Sequence, residues 1–477
     1  MNISTKRIEN NKNFDYELDF IDNLFSLNNF KINIKGHEDI NATISKIQET
    51  FNLEINARLI DEDDEENVDL SFIFNENIYK TKNLGSSSDS TELKADKSVN
   101  FQTTIELKSF YSEEFNEIGL FKAFFPVDLK EIKTFHNEFE TVTYSRNGIE
   151  YFYDCLRINL NGKQYDVTQI KNEIKGFYIF ECLQEQNYED FSDACFSIQQ
   201  AIGFINRFMV GGEKFVFDTA KKIHYTNYIR PTIKGMYSPI KTNPYAHLGI
   251  DKKIADNFVK VLTRISLDNL SNLVHKIHTE SEFSVAILVI LEATSIRSLL
   301  IIPSSFSVII EQLSKHLSIV ESGLEKPITD NDLQKKIIGD LHKVIDDNKQ
   351  ALSDDSVLKL KRRLNEINKP VNKEHLTNNE KLTRPFEQLS IKLTLHDIAI
   401  IEHRNDLLHG NILLKSDENN DEEKINLYMT YVSAKLFTII SKLILKSIGY
   451  DGYIYNQAKY LEKQMNIETD EAYFERI

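Results

Sequence analysis

The sequence predicts an α+β protein in which a β-rich N-terminal region precedes an all-α helical bundle. In the first half of the chain, short segments alternate apolar with polar residues, which is the period of a strand with one buried face. After Ile250, apolar residues recur every three or four positions, as they do on the buried face of a helix. This change of period places the N-terminal region at residues 1–245 and the helical domain at residues 246–477.

The N-terminal region contains five segments with the alternation of strands, at residues 51–60, 68–75, 101–110, 151–160 and 176–183. The Asn161-Gly162 dipeptide predicts a tight hairpin, because both residue types accept the left-handed backbone of a two-residue turn. Residues 84–100 are polar and Ser-rich, and we expect a loop there. Short strands separated by turn signals predict an antiparallel sandwich or a barrel-like sheet.

One helix is predicted before the domain boundary. Apolar residues recur at helical spacing after Phe191, so we expect a helix near residues 190–210 that ends at the Gly211-Gly212 pair. Residues 228–249 contain three prolines and are typical of an irregular connector. This connector sets the boundary near residue 245.

The helical domain contains eight candidate helices, at residues 251–277, 281–301, 304–321, 329–348, 353–368, 386–392, 395–409 and 424–448. The helix at 281–301 is apolar on nearly every side, so we expect it to be the buried central helix, with Pro303 ending it. Glu292 lies within this helix, and a buried carboxylate needs a partner. One candidate arrangement pairs Glu292 with Arg297 toward solvent.

The formal net charge of −16 argues against a protein that coats nucleic acid, since phosphate contacts need a basic surface. A local basic patch is still compatible with this charge. Lys361, Arg362 and Arg363 are the best candidates for contact with a phosphate backbone. The alternative is a solvated helix face on which these cations are balanced by nearby carboxylates such as Glu366.

The sequence predicts no metal site and no cofactor. The three cysteines are widely spaced and form neither a disulfide framework nor a metal-ligand pattern. The chain has no glycine-rich phosphate loop and no HExxH, CxxC or GxSxG motif. No apolar stretch reaches the length of a membrane span, and the polar N-terminus lacks the apolar core of a signal peptide, so we expect a cytoplasmic protein.

The strongest functional signal lies in residues 394–414, TLHDIAIIEHRNDLLHGNILL. Thr394 and Asp397 have the spacing of a capping box, which predicts the start of a helix. Apolar residues follow at helical spacing, and the RNDLLHG segment places Arg404 and His409 on either side of the apolar stripe. Long side chains in this arrangement reach the same edge of a cleft.

These residue types suit the cleavage of RNA. RNA carries its own nucleophile, the 2′-hydroxyl, so the reaction needs only a base, an acid and positive charge beside the phosphorane. An imidazole titrates near neutral pH, so His409 suits proton transfer, while the guanidinium of Arg404 matches phosphate oxygens. Asn405 lies four positions before His409 and could orient the imidazole or contact the phosphate, and His403 is a further candidate for support. The alternative is a surface pair at a helix end.

This pattern resembles the active-site motif of the HEPN superfamily, an Arg, usually followed by a polar residue, and a His several positions further on. The form RNxxxHG behind an apolar helix is most similar to the Apea-like branch. The resemblance covers the helical domain and is specific at the motif and the apolar helices around it. It implies a HEPN bundle in which Arg404, Asn405 and His409 are catalytic residues of a metal-independent endoribonuclease that leaves 2′,3′-cyclic phosphate ends. Glu292 then has a second candidate role, which is to neutralise Arg404.

The resemblance also carries expectations about partners. HEPN domains commonly form homodimers in which two motifs face each other across one cleft. Apea-like members are associated with bacterial defence against phage, where host or phage RNA such as tRNA is cut and growth stops. The N-terminal region would then sense a phage-derived or nucleotide trigger, or select the substrate. The alternative is a non-catalytic HEPN-like protein that dimerises or binds RNA as a regulator.

Overall fold

A thirteen-stranded antiparallel sheet organises the N-terminal half of the chain in the computed structural model. The structure describes residues 14–25, 28–34, 37–47, 50–55, 70–74, 77–93, 99–146, 149–173, 175–227, 232–246, 250–319, 324–325, 327–369, 371–372, 377–403, 421–465, 469 and 471–477. The strands of the sheet are β1 (Asn28–Ile34), β2 (His37–Ile47), β3 (Thr50–Ile55), β4 (Leu70–Phe74), β5 (Asn77–Leu93), β6 (Val99–Ser112), β8 (Lys122–Val127), β9 (Val142–Arg146), β10 (Ile149–Leu160), β11 (Lys163–Lys171), β12 (Gly176–Cys182), β15 (Glu213–Phe217) and β16 (Ile223–Asn227).

Shorter strands among the described residues pair two by two. They are β7 (Ile118–Gly119) with β13 (Gln186–Asn187), β14 (Phe208–Met209) with β17 (Ile233–Lys234), β18 (Leu324–Glu325) with β19 (Val371–Asn372), and β20 (Tyr453–Tyr455) with β21 (Phe474–Arg476). The described helices are α1 (Asp15–Phe25), α2 (Tyr188–Asn206), α3 (Lys252–Phe258), α4 (Leu267–Thr279), α5 (Ser281–Ile296), α6 (Ile301–Leu317), α7 (Asn331–Asp347), α8 (Asp354–Glu366), α9 (Asn378–Gln388), α10 (Leu395–Glu402), α11 (Glu422–Ser447) and α12 (Lys459–Met465).

Strand β6 serves two parts of the sheet. Strands β3, β2, β1, β4, β5 and β6 pair in that order, and β3 also pairs with β6, so these six strands close on themselves. The remaining strands continue from the C-terminal part of β6 in the order β16, β15, β8, β12, β11, β10 and β9. The predicted antiparallel, β-rich region is therefore confirmed, and its first six strands have the closed pairing of a barrel.

The core of this region follows from strand alternation. In β3, Phe51, Leu53 and Ile55 are fully buried and the residues between them are half-buried, because successive side chains point to opposite faces. The Tyr225 ring lies 5.0 Å from the Phe51 ring and 4.7 Å from the Phe110 ring, measured between centroids. Such aromatic pairs add about 0.5–1.5 kcal/mol each beyond the apolar area that they bury. The apolar period of the sequence thus corresponds to one packed core.

The hairpin prediction is confirmed and one loop prediction is wrong. Asn161 and Gly162 have positive φ angles of 51° and 78°, and Leu160 pairs with Lys163 across the turn. By contrast, β5 continues through residues 84–93, where we expected a loop, and pairs with β6 as far as Leu93. Its Ser-rich composition is poor for a strand, and the register with β6 shifts between Thr81 and Ser87, but regular pairing from Ser87 to Leu93 outweighs that local preference.

Helix α2 begins as predicted but ends early. The Asn187 side chain caps its start by accepting a hydrogen bond from the Asp190 N–H at 2.6 Å. The helix ends at Asn206, where Arg207 adopts a left-handed backbone with φ 59°, and not at the Gly211-Gly212 pair. The next residues form β14, which pairs with β17, so strand pairing ends the helix before the glycines are reached.

Contacts divide the chain into two compact units, residues 1–309 with 403–477 and residues 310–402. The predicted domain boundary near residue 245 stays a prediction. In the first unit, the helix predicted at 251–277 is wrong in one respect, because it is interrupted between α3 and α4. The Ile265 backbone there accepts a hydrogen bond from the Glu140 N–H at 2.8 Å, so a tertiary contact replaces a helical one.

The central helix of the first unit is α11 and not, as predicted, the helix at 281–301. Every residue from Tyr431 to Leu445 is buried, whereas Val285 and Ile296 of α5 are 47% and 63% exposed. Helix α5 ends at Ile296, and Pro303 lies in the first turn of α6, where its missing N–H costs little. The predicted helical C-terminal region is confirmed as such; its identity as a HEPN bundle stays a prediction.

Two buried lysines of α11 attach the C-terminal residues to it. Lys435 pairs with Glu471, both being almost fully buried, and Lys442 pairs with Glu475 at 2.7 Å. The Asn456 side chain donates to Glu471 at 3.0 Å and to Glu475 at 2.8 Å. Buried charges of this kind are tolerated only when they are paired and hydrogen-bonded. This network therefore orders residues beyond α11.

Helix α11 is long and apolar enough to span a membrane by length and composition alone, yet 83% of its most apolar window is buried inside the protein. Burial of that kind is typical of the core helix of a soluble protein. The cytoplasmic location stays a prediction.

The second unit, residues 310–402, contains α7 to α10 and the end of α6. Helix α9 runs from Asn378 to Gln388 and passes through Pro385, whereas the prediction placed a short helix at 386–392. A capping box formed by Thr377 and Glu380 starts the helix earlier than the proline suggested. This unit supplies the helix that leads to the RNDLLHG segment.

Candidate functional site

Helix α10 leads directly into the RNDLLHG segment. The Asp397 N–H donates to Thr394 Oγ1 at 2.9 Å, and the Thr394 N–H donates to Asp397 Oδ2 at 3.1 Å. These reciprocal bonds are the capping box predicted from the sequence, and they are confirmed. Asp397 is fully buried, so the start of α10 is held inside the unit rather than frayed in solvent. Helix α10 therefore has a defined first turn.

The apolar face of α10 is buried toward its C-terminal end, while Ile398 of the predicted stripe is half-buried. Ile400 and Ile401 are 4% and 0% exposed, while Leu395 at the start is 88% exposed. The Asn379 amide of α9 donates to Glu402 Oε1 at 3.0 Å, which links the two helices near the end of α10. His403 follows in a turn and is half-buried.

The three residues proposed as catalytic, Arg404, Asn405 and His409, lie outside the described residues. Their roles stay predictions. The described chain resumes at Asp421, whose carboxylate caps α11 by accepting from the Glu423 N–H at 3.1 Å. What the structure describes is thus the two helices on either side of the segment.

The basic patch predicted for RNA contact lies on α8. Lys361 pairs with Asp346 of α7 at 2.5 Å, so its charge is partly neutralised within the protein. Arg362 and Arg363 are exposed and form no ion pair with any other described residue. The alternative of a balanced helix face therefore fits Lys361, and it fits Arg362 in part, because the Arg362 charge, after that of Lys369, lowers the pKa of Glu366.

Glu292 lies on α5 and is exposed. Ion pairing with Arg297 is not present among the described residues, and Arg297 instead ends the helix with a left-handed backbone. The other candidate role, neutralising Arg404, stays a prediction because Arg404 is outside the described residues.

A site that the sequence did not reveal lies in the β-rich unit. A cavity of about 480 Å³ is lined by three lysines and three carboxylates, and we refer to it as the lysine cavity: Lys130, Lys175, Lys234, Asp128, Glu131 and Glu213. These residues are up to about one hundred positions apart, so no spacing pattern connects them. The pairing of β8 with β12 and with β15, and that of β14 with β17, brings them together.

Ion pairs engage each carboxylate of the lysine cavity. Asp128 accepts from Lys130 at 2.9 Å, and Glu131 accepts from Lys234 at 2.9 Å. Glu213 pairs with the buried Lys46 and also accepts from the Tyr225 hydroxyl. Burial raises the pKa of Glu213, and the Lys46 charge opposes that rise. The lysine and carboxylate charges of the cavity are thus largely paired with one another, and the Lys175 charge also acts on Glu213 and Asp128.

The turn before β12 positions Lys175. Its backbone N–H donates to Asn172 Oδ1 at 2.6 Å, and its carbonyl accepts from the Asn172 N–H at 3.0 Å. Gly176, which pairs with Val127, lies so close to Ile132 that a Cβ there would be 2.2 Å from Ile132 Cγ1. This close approach seats the 3₁₀ turn Leu129–Glu131 beside β12 and shapes one wall of the cavity.

Comparisons of this chain with family models, with curated proteins and with solved structures find no match.

Proposed function

We propose that the protein is a metal-independent endoribonuclease of the HEPN type whose active site is the RNDLLHG segment. What supports the proposal is the local order of the chain: a capped helix, α10, with a buried apolar face runs directly into that segment. A helix start placed by a capping box fixes which residues share a face further along. Helix α10 is described as far as Glu402, and the continuation of its face through the motif is part of the proposal.

In the proposed reaction, His409 takes the proton of the RNA 2′-hydroxyl or donates one to the leaving 5′-oxygen. The 2′-oxygen attacks the adjacent phosphorus, the bond to the 5′-oxygen breaks, and a 2′,3′-cyclic phosphate remains. Arg404 binds the non-bridging oxygens of the phosphorane, and its charge stays fixed throughout. Asn405 orients the imidazole.

Two copies of the chain complete the proposed site. A single motif supplies one imidazole, whereas the reaction needs both a base and an acid. A homodimer with facing motifs provides the second group. We further propose that the exposed Arg362 and Arg363 contact the RNA backbone.

The proposed biological role is cytoplasmic defence against phage, in which cleavage of host or phage RNA, such as tRNA, stops growth. The β-rich region would restrain the nuclease until a trigger is present. Expression in a bacterial host tests this role. Wild-type protein should slow growth, either alone or during phage infection, while Arg404→Ala and His409→Ala should not.

Matched control variants are Arg476→Ala, which removes an exposed arginine from β21, and His342→Ala, which removes a half-buried histidine from α7. Both controls should retain the wild-type effect on growth. Full growth arrest by the His409→Ala variant would contradict the proposal. It would favour the rival function, a HEPN-like protein that dimerises or binds RNA without cutting it.

A further inference from the structure

Three cations from separate segments of the β-rich unit lie close together, and we refer to them as the cation cluster: Lys133, Arg207 and Lys241. Lys133 lies between β8 and β9, Arg207 ends α2, and Lys241 lies in the connector after β17. The Glu138 carboxylate is attracted by all three, and Arg207 and Lys133 both repel Lys241. Such interactions fall off with distance, so these four charged groups are neighbours.

Backbone contacts hold the three segments of the cation cluster against one another. The Gly235 N–H donates to the Arg207 carbonyl at 2.9 Å, and the Arg207 guanidinium donates to the Met236 carbonyl at 3.3 Å. The Thr242 hydroxyl, next to Lys241, donates to the Asn137 carbonyl, next to Glu138. Arg207 has a φ of 59°, which is uncommon for a residue with a long side chain. The position of its guanidinium is therefore set by tertiary contacts.

The charges of the cation cluster, unlike those of the lysine cavity, are not balanced. Lys234, which also acts on Lys133, is engaged by Glu131 at 2.9 Å and adds no excess charge. Among the described residues, no member of the cluster forms an ion pair, and the Arg207 hydrogen bond goes to a neutral carbonyl. Glu138 is the one carboxylate that acts on all three cations. Three positive charges against one negative charge leave an excess of two.

The shifts in pKa at this place agree with a shortage of negative charge. Burial lowers the pKa of Lys241, the Arg207 charge lowers it further, and the attraction of Glu138 does not offset these effects. Burial raises the pKa of Glu138 in spite of the three cations around it. A bound anion would stabilise the Lys241 ammonium group, because a nearby opposite charge favours the protonated form.

A phosphate monoester matches the excess charge of the cluster. It carries about −1.5 to −2 charges near neutral pH and has three strong acceptor oxygens, so it can engage several cations at once. A carboxylate carries a single negative charge and would leave part of the excess in place. The planar guanidinium of Arg207 suits two phosphate oxygens, and the two lysines act as point charges beside it. Lys133 is exposed, so a ligand reaches the cluster from solvent.

We propose that the cation cluster binds a phosphate monoester group, either free phosphate or the phosphate of a small molecule, through Arg207, Lys133 and Lys241. Glu138 competes with the ligand for the same cations and so limits its affinity. This site is separate from the RNDLLHG segment and does not depend on RNA cleavage. A binding measurement therefore tests it whether or not the protein cuts RNA.

Isothermal titration calorimetry on the full-length protein at low salt tests the proposal. The probes are inorganic phosphate and AMP, and the controls are acetate, which carries one charge, and adenosine, which lacks the phosphate. At least one of the two phosphates should bind, and both controls should bind at least about tenfold more weakly, since each lost charge-assisted bond costs roughly that factor. Tighter binding of AMP than of inorganic phosphate would assign the site to a phosphorylated small molecule, and the reverse order would assign it to free phosphate.

Variants then locate the site. Lys241→Gln should weaken binding by about tenfold, and Lys133→Gln, at an exposed position where folding is not endangered, should weaken it by a smaller factor. Glu138→Gln should strengthen binding, because it removes the competing carboxylate, and a misfolded protein would not show such a gain. Lys335→Gln changes an 82% exposed lysine of α7 and should bind as the wild type does.

Three results would each overturn the proposal. The first is that neither phosphate binds at millimolar concentration, and the second is that acetate and adenosine bind as tightly as the phosphates do. The third is that Lys133→Gln and Lys241→Gln both bind as the wild type does while Glu138→Gln brings no gain.

Discussion

The two candidate sites of this protein differ in how the chain builds them. The RNDLLHG segment is contiguous in sequence and follows a single capped helix, α10. The lysine cavity draws its residues from between Pro126 and Lys234 and exists only because distant strands pair. Helix geometry fixes how side chains a few positions apart are arranged in space. No such local rule fixes the arrangement of residues on different strands, which depends on how the strands pair. A contiguous motif is therefore visible before folding, and an assembled site is visible only afterwards.

This comparison predicts that residues assembled from a distance are the more sensitive ones. The largest expected loss follows from Glu471→Ala, which leaves the buried Lys435 without the carboxylate that faces it. Breaking a buried pair in this way costs about 3–5 kcal/mol. Chemical denaturation of wild type and variant measures the difference in the free energy of unfolding.

Its control is the double variant Lys435→Met with Glu471→Met, which removes both charges and keeps much of the volume. This variant should recover most of the lost stability, because two apolar groups replace a desolvated pair. Equal destabilisation by the single and the double variant would mean that the Lys435–Glu471 pair does not attach the C-terminal residues.

A smaller effect is expected at the wall of the lysine cavity. Gly176→Ala places a methyl group against Ile132 and should cost about 1–3 kcal/mol, as overpacking does. Thermal denaturation measures the change in stability.

Gly339→Ala is the matched control, since a Cβ at this position of α7 meets nothing within 4 Å. It should leave stability unchanged or raise it by about 0.5–1 kcal/mol, because alanine favours a helix. If Gly176→Ala were as harmless as Gly339→Ala, the close contact with Ile132 would not shape the cavity.

The contiguous site should respond more mildly to loss of its helix cap. Thr394→Ala removes the hydroxyl that accepts from the Asp397 N–H, at a cost of about 1 kcal/mol. We expect a modest loss of stability together with a reduced rate of RNA cleavage, since α10 precedes the residues proposed as catalytic. Thr383→Ala removes a half-buried hydroxyl of α9 that donates to the Asn379 carbonyl of the same helix, and it should change neither quantity. If Thr394→Ala leaves the cleavage rate unchanged, the capped start of α10 does not position the RNDLLHG segment.

The smallest expected effect concerns the exposed arginines of α8. Arg362→Ala and Arg363→Ala should each weaken RNA binding slightly. In a plot of log affinity against log salt concentration, each variant should reduce the slope by somewhat less than the contribution of one phosphate contact. Fluorescence anisotropy at several salt concentrations measures the slope. If both variants have the slope of the wild type, Arg362 and Arg363 do not contact RNA and belong to a solvated helix face.

Local signals predicted much of the fold. The Asn161-Gly162 turn and the Thr394–Asp397 capping box are present as expected, because each depends on residues a few positions apart. The strand alternation of β3 likewise follows the sequence, since one face of the sheet is buried.

The errors arose where distant contacts decide the outcome. Residues 84–93 form a strand because β6 pairs with them, and α2 ends at Asn206 because β14 pairs with β17. Helix α11 contains Lys435 and Lys442, which make its sequence look less apolar, but Glu471 and Glu475 pair with these lysines and so allow the helix to be buried. The lysine cavity was missed for the same reason.

Cleavage of total RNA and tRNA by purified protein in EDTA tests the central claim most directly, with wild type beside Arg404→Ala and His409→Ala. We expect the wild-type protein to leave 2′,3′-cyclic phosphate ends without metal, and both variants to lose about 10²–10⁴-fold in rate, as removal of an acid–base or charge-stabilising group does. Equal cleavage by all three proteins would contradict the assignment of the RNDLLHG segment as the active site.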